Sequence, residues 1–181
     1  MKIEETTLKG VYIIEPDVFG DSRGWFSETY SKEKLRNLEI DIDFIQDNHS
    51  FSALKGTLRG LHFQIGEMAQ TKLVRCIRGK VYDVAVDLRR DSIDFGKWFG
   101  IELSAENKKQ LFIPKGFGHG FMTLTDDCEF VYKVDNYYSK EHDRSLLWND
   151  NIINIVWPIK EPLLSEKDRN AKDLSNIGEL F

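Results

Sequence analysis

The sequence predicts an all-β barrel or sandwich with a few short helices, one of them near the C-terminus. Three observations predict it. Turn signals recur about every 8–12 residues through the middle of the chain, with hardly any helical periodicity between them. Residues 81–88 alternate, with Tyr82, Val84, Val86 and Leu88 on one face and Val81, Asp83, Ala85 and Asp87 on the other. No repeat, low-complexity tract or linker divides the 181 residues, so a single domain over 1–181 is expected.

In chain order, residues 11–14 are a short apolar run that reads as a strand. It leads into the turn-like Asp21-Ser22-Arg23-Gly24 and then Trp25-Phe26-Ser27-Glu28-Thr29-Tyr30. Residues 31–38 are the first plausible helix, with Ser31 as N-cap and Leu35 and Leu38 on one face. Strand candidates follow at 44–50, 58–63 and 73–77, and Arg78-Gly79-Lys80 reads as a hairpin turn into 81–88. Further strands are expected at 97–103, 110–113, 120–124 and 129–134, and helical character returns at 165–173.

Composition narrows the function. With 41% apolar and 12% aromatic residues the chain can fill a core, and 30% charged residues keep its surface wet. A net charge of -5 argues against nucleic-acid binding. Cys76 and Cys128 match no zinc spacing. Residues 1–30 lack the apolar stretch of an export signal, and no run approaches the roughly 18–20 residues that cross a bilayer. A cytoplasmic location without membrane association is expected. No glycine-rich dinucleotide or phosphate loop is present, and no cofactor is expected.

Two segments concentrate chemistry. Gly56-Thr57-Leu58-Arg59-Gly60-Leu61-His62-Phe63-Gln64 places a histidine on a strand, with Arg59 nearby as a possible anion contact. Pro114-Lys115-Gly116-Phe117-Gly118-His119-Gly120 places another in a turn feeding a strand. They resemble the two cupin motifs, a strand ending in His-x-His followed by Pro-x-Gly-x-x-His. The first motif is broken, because its second histidine is Gln64 and the nearest carboxylate, Glu67, is offset. An amide is a poor ligand beside imidazole and carboxylate, so no metal is expected.

What remains is an acid–base set. Imidazole titrates near neutrality, which suits His62 to be a general base. The Lys72 ammonium is suited to stabilise an oxyanion, and the Tyr132 phenol to return a proton from the opposite wall. Each has an ordinary structural reading as well: a satisfied strand histidine, a solvated edge lysine, a core tyrosine with its hydroxyl at the rim. Spacing alone does not choose.

Taken together, these segments resemble the dTDP-4-dehydrorhamnose 3,5-epimerase family of cupin-fold enzymes. The resemblance runs through residues 21–28, 46–50, 56–64, 70–75, 79–89, 103–107, 112–121, 132–138 and 164–168. It implies a jelly-roll barrel, and a reaction that removes and returns the protons at C3 and C5 beside the C4 ketone of a dTDP-linked 4-keto-6-deoxyhexose. His62 would be the base, Asp168 its partner, Lys72 the enolate stabiliser and Tyr132 the acid on the other face. Arg23, Glu28, Asp47, Asn48, Arg59, His119, Asp143 and Lys167 match positions that hold the nucleotide and sugar, and Gln46 lies in the same block. Phe19, Phe26 and Tyr138 are of a type that stacks on a pyrimidine. Family members pair as dimers, often by exchanging strands, and residues 11–14 are the expected exchange strand.

Asp168 has a second reading, because Ser165-Glu166-Lys167-Asp168 fits a helix start with Asp168 at the third position. Should it lie too far from His62, Asp83 is the alternative carboxylate. The family commonly has Glu where this chain has Asp143, and the stretch Ile65-Gly66-Glu67-Met68 departs from its usual proline-containing loop. Within the same resemblance, an epimerase acting at one carbon or a ketoisomerase remains an alternative, as does a metal-dependent cupin enzyme or a non-catalytic sugar-nucleotide sensor.

Overall fold

A computed structural model describes residues 1–181. Two antiparallel sheets face each other. The strands are β1 (Lys2–Glu5), β2 (Tyr12–Glu15), β3 (Val18–Asp21), β4 (Gly24–Ser27), β5 (Gln46–Ser52), β6 (Leu58–Gln64), β7 (Lys72–Arg78), β8 (Lys80–Asp87), β9 (Trp98–Ser104), β10 (Gln110–Ile113), β11 (Phe117–Thr123), β12 (Cys128–Val134) and β13 (Asp143–Ser145). One sheet runs β1-β2-β10-β7-β12-β5 and the other β13-β6-β11-β8-β9, while β3 and β4 form a separate hairpin. The predicted all-β class holds, with two short helices, α1 (Lys32–Arg36) and α2 (Glu166–Arg169).

The alternation at 81–88 explains the layering. Val81 and Ala85 pack between the sheets with Val74, Leu111, Phe121 and Phe130. Val84, Val86 and Leu88 point the other way, into a second cluster covered by Leu146, Ile153, Trp157 and Ile177 of the C-terminal segment. A strand covered on both faces has no side left to solvent, so β8 is buried through most of its length, its two carboxylates Asp83 and Asp87 included. The outer face of the six-stranded sheet has its own small cluster, where Leu35 of α1 and Ile40 seal Ile14, Leu73 and Phe112. Ser31 caps α1 as expected, its hydroxyl accepting Lys34 N–H.

Three expectations change. Arg78-Gly79-Lys80 is no hairpin turn, because β7 and β8 belong to different sheets. The chain turns a corner there: Gly79 sits at φ +74, and a Cβ would lie 2.5 Å from Thr125 Oγ1 and 2.7 Å from Cys128 Sγ. The run at 11–14 is not a free exchange strand. As part of β2 it lies between β1 and β10, with Val11, Ile13 and Ile14 buried. The tail helix shrinks to Glu166–Arg169, and the charged loop before it contributes β13, whose three residues pair with β6. A strand so short carries no alternation for a sequence reading to detect.

Candidate active site

Between the sheets, at one end, lies a cavity of about 540 Å³. Its floor comes from β6 and β11, which place His62 and His119 directly opposite each other in register. The register shifts between His119 and Phe121, opposite Gly60. Strict alternation would send Arg59 and His62 to opposite faces, yet both line the cavity. The irregularity at Gly60 resets the parity, as an extra residue in one strand does. Glycine is required there, because φ is +128 and a Cβ would stand 2.5 Å from Gly120 Cα.

His62 meets the carboxylate of α2. Its Nε2 lies 2.5 Å from Asp168 Oδ1, while Asp168 Oδ2 accepts the Ser165 hydroxyl at 2.8 Å. Ser165 in turn caps α2 by accepting Asp168 N–H. The two readings of Asp168 therefore hold together: it pairs with the histidine and braces the cap. Burial works to raise the Asp168 carboxyl, but the His62 bond and charge, with Ser165 and Lys167, outweigh it and hold the group below the ordinary range. An ionised carboxylate only accepts, so His62 Nε2 is the donor to it, and in the neutral imidazole Nδ1 is the nitrogen that holds the lone pair.

Asp83, the alternative partner, belongs to the second histidine. Both its oxygens lie within 3.1 Å of His119 Nε2, and its side chain is fully buried. Burial lowers the His119 pKa despite the nearby Asp83 charge. The imidazole is thus neutral, donating to Asp83 through Nε2–H and leaving Nδ1 as an acceptor.

Lys72 opens β7 and reaches across to the other sheet, with Nζ 3.3 Å from the His62 carbonyl oxygen. Its side chain has no direct carboxylate partner. Desolvation brings its pKa down to about 8, against the opposing pull of Asp83 and Asp143. Tyr132 lines the cavity from β12, in the facing sheet, and burial raises its phenol above the usual value. At neutral pH it remains a donor.

The rim carries charge and aromatics. Arg59 donates to Ser52 Oγ at 3.1 Å and Phe51 O at 3.0 Å and pairs with no carboxylate, so its charge is available to an anion. Lys167 pairs with Asp143 at 2.5 Å, and the Tyr138 hydroxyl stands 3.4 Å from the same carboxylate. Asp143, shorter than the glutamate expected at its position, thus still makes a contact at the rim. The loop at 65–68 becomes a short 3₁₀ turn, Gly66–Met68, beside the rim.

His62, Lys72, Tyr132, Asp168, Arg59, His119, Tyr138, Asp143 and Lys167 therefore gather in one cavity. The remaining predicted contacts do not line it. Arg23 and Phe26 stand on the β3–β4 hairpin, where Arg23 pairs with Asp21 at 2.6 Å and Phe26 is 67% exposed. Glu28 pairs with Lys34. Gln46 donates to Asn48 Oδ1, and Asp47 pairs with Lys133. Asp47 and Asn48 line a second hollow of about 480 Å³ that shares only Tyr132 with the first. Sequence reasoning missed Ser165 as part of the site and the pairing of Asp83 with His119. The second had a signal, a carboxylate on the same strand face as Val81 and Ala85.

No three His, Cys, Asp or Glu side chains converge to form a metal cage, since Asp168 and Asp83 each engage one imidazole. Gln64, where a metal cupin has its second histidine, spends its amide on backbone groups.

Two facing sheets with acid–base groups gathered at one open end define a cupin-like isomerase barrel. The family model described as dTDP-4-dehydrorhamnose 3,5-epimerase matches residues 5–176, and the chain belongs to that family. A dTDP-4-dehydrorhamnose 3,5-epimerase of Shigella flexneri is 53% identical over 173 residues, covering 95% of each chain. The crystal structure of dTDP-4-dehydrorhamnose 3,5-epimerase from Bacillus anthracis with TDP and PPi bound has a TM-score of 0.94 at 50% identity, covering 96% of this chain and 99% of that one. The dTDP-6-deoxy-D-glucose-3,5-epimerase of Legionella pneumophila, in complex with dTDP-4-keto-L-rhamnose, has a TM-score of 0.93 at 44% identity over 97% and 94% of the two chains.

Proposed function

We propose that this protein epimerises dTDP-4-dehydro-6-deoxy-D-glucose at C3 and C5, giving dTDP-4-dehydro-L-rhamnose for dTDP-L-rhamnose synthesis. The observation that carries the reading is the convergence of a carboxylate-held imidazole, a buried ammonium and a phenol on one cavity, from two facing sheets.

A C–H bond beside a ketone is weakly acidic, and losing its proton moves charge onto the ketone oxygen. His62 Nδ1 takes the proton, and Asp168 stabilises the imidazolium that forms. The C4 oxygen becomes an enolate beside Lys72, whose charge counts for more where water is excluded. The Tyr132 phenol then gives its proton to the same carbon from the other face, and configuration inverts. The enolate collapses to the ketone, and proton exchange with solvent restores phenol and imidazole. The sequence runs once at each carbon. The hydrogen moves as a proton, so no redox partner enters. Arg59 and Lys167 carry the positive charge for the diphosphate at the rim, where Arg offers two parallel donors. The neutral His119, with Nδ1 as acceptor, is matched to a sugar hydroxyl.

The same reading makes residues 1–181 one catalytic domain, acting in the cytoplasm as a homodimer. Support for the dimer comes from the β3–β4 hairpin, which leaves Phe19, Trp25 and Phe26 each more than 60% exposed beside Arg23. Placed at a partner's rim, that hairpin would add a further cation and further stacking surface to those of Arg59, Lys167 and Tyr138, which accounts for Arg23 and Phe26 standing outside their own cavity.

The test is incubation with the 4-keto sugar nucleotide in D₂O. Deuterium at both C3 and C5 is expected. Label at one carbon would reduce the activity to a single epimerisation, and label at neither would overturn the reading.

A further inference from the structure

Gln64 is 3% exposed and its three hydrogen bonds all go to backbone groups. Nε2 donates to Met68 O at 2.6 Å and to Tyr137 O at 3.0 Å, and Oε1 accepts Ser139 N–H at 2.6 Å. The amide orientation is fixed by this set, because a flipped amide would face two carbonyls with an oxygen and an N–H with an amine. Two of the three bonds fall on either side of Tyr138. The third holds the 3₁₀ turn Gly66–Met68 next to the same segment, since Nε2 bonds Met68 O and Tyr137 O together.

Tyr138 needs such a hold. It is 61% exposed, and its hydroxyl reaches only Asp143, at 3.4 Å. We propose that Gln64 is a positioning residue: by gripping the backbone at Tyr137 and Ser139 it fixes the Tyr138 ring at the cavity mouth, where the ring stacks on the pyrimidine of the nucleotide. This rests on the reading of the cavity as a sugar-nucleotide site. The position that holds a metal ligand in a metal cupin thus acts here as a brace, two residues from the base. Removing the amide leaves two part-buried carbonyls and one N–H without their partner, so the rim loosens while the base and acid keep their places in the sheets.

Titration with dTDP and steady-state kinetics of the full chain test the proposal. Gln64→Met is expected to weaken dTDP binding and raise KM by about tenfold or more, with kcat reduced by less than about threefold. Tyr138→Ala is expected to weaken dTDP binding as well, and the double variant to bind no worse than the weaker single, because both act through one ring. Should Gln64→Met fail to fold, Gln64→Glu keeps the size and the acceptor for Ser139 while facing two carbonyls with an oxygen, and carries the same expectation. Effects that add in the double variant, or a loss confined to kcat, overturn the proposal. A protein that binds dTDP yet exchanges no C3 or C5 proton would instead remove the epimerase reading, and the dTDP titrations would still decide the role of Gln64.

Discussion

His62 and Asp168, 106 residues apart in sequence, meet at 2.5 Å across the cavity floor. The contact depends on α2, a helix of four residues whose N-cap hydroxyl donates to the free oxygen of the same carboxylate. Asp168 therefore has both oxygens engaged, which fixes its rotamer and with it the imidazole tautomer. The base is oriented through Asp168 and Ser165, with His62 Nδ1 left open to the cavity.

Asp168→Asn should separate orientation from binding. The amide can present N–H where the carboxylate accepted, which turns the imidazole to the wrong tautomer. We expect kcat to fall by about 10²–10⁴-fold with dTDP affinity nearly unchanged. A fall of less than about threefold would mean that the pair only braces the helix.

Lys72 sets the alkaline limb. Its pKa of about 8 in the folded chain means the ammonium is lost as pH rises through 8, so kcat/KM should decline above that value. Asp83 raises that pKa, so Asp83→Asn should move the limb to lower pH. The same residue costs stability. Folding lowers its pKa from 10.5, so below pH 8 the charge is buried at a penalty, and between about 8 and 10.5 the unfolded chain binds the extra proton and stability climbs with pH. Lys72→Met should therefore lose about 10²–10³-fold in rate and gain up to about 3 kcal/mol at pH 7, read as a higher Tm. A variant that is both inactive and less stable would contradict this account.

Tyr132→Phe removes the acid and leaves the base. Turnover to the inverted product should drop by about 10²-fold or more, while His62 continues to exchange the substrate proton with retention in D₂O. Equal loss of exchange and of inversion would assign the abstraction step to Tyr132.

Gly60→Ala tests the geometry of the floor. A methyl group there meets Gly120 Cα at 2.5 Å in a backbone region that alanine avoids. Destabilisation of about 2–4 kcal/mol is expected in denaturant titration, with weaker dTDP binding as Arg59 and His62 lose their common face. Stability within about 0.5 kcal/mol of wild type would show that the strands can part without cost.

Much of this was legible in the residues. Alternation at 81–88 and regular turn signals dictated the all-β class, because side-chain parity and chain reversal are local properties. The histidine-bearing motifs marked β6 and β11, the strands that set His62 and His119 opposite each other. Local signals could not say which sheet each strand joins, so Arg78-Gly79-Lys80 read as a hairpin although it is a corner. They could not place the six predicted contacts that lie outside the cavity, since nothing in a segment's own residues says which hollow of the folded chain it borders. Nor could they bring Arg59 and His62 to one face, or Asp168 to His62 and Asp83 to His119. A parity reset at one glycine and a meeting across 106 residues are products of packing between distant segments, and only the assembled sheets and the returning C-terminal segment decide them.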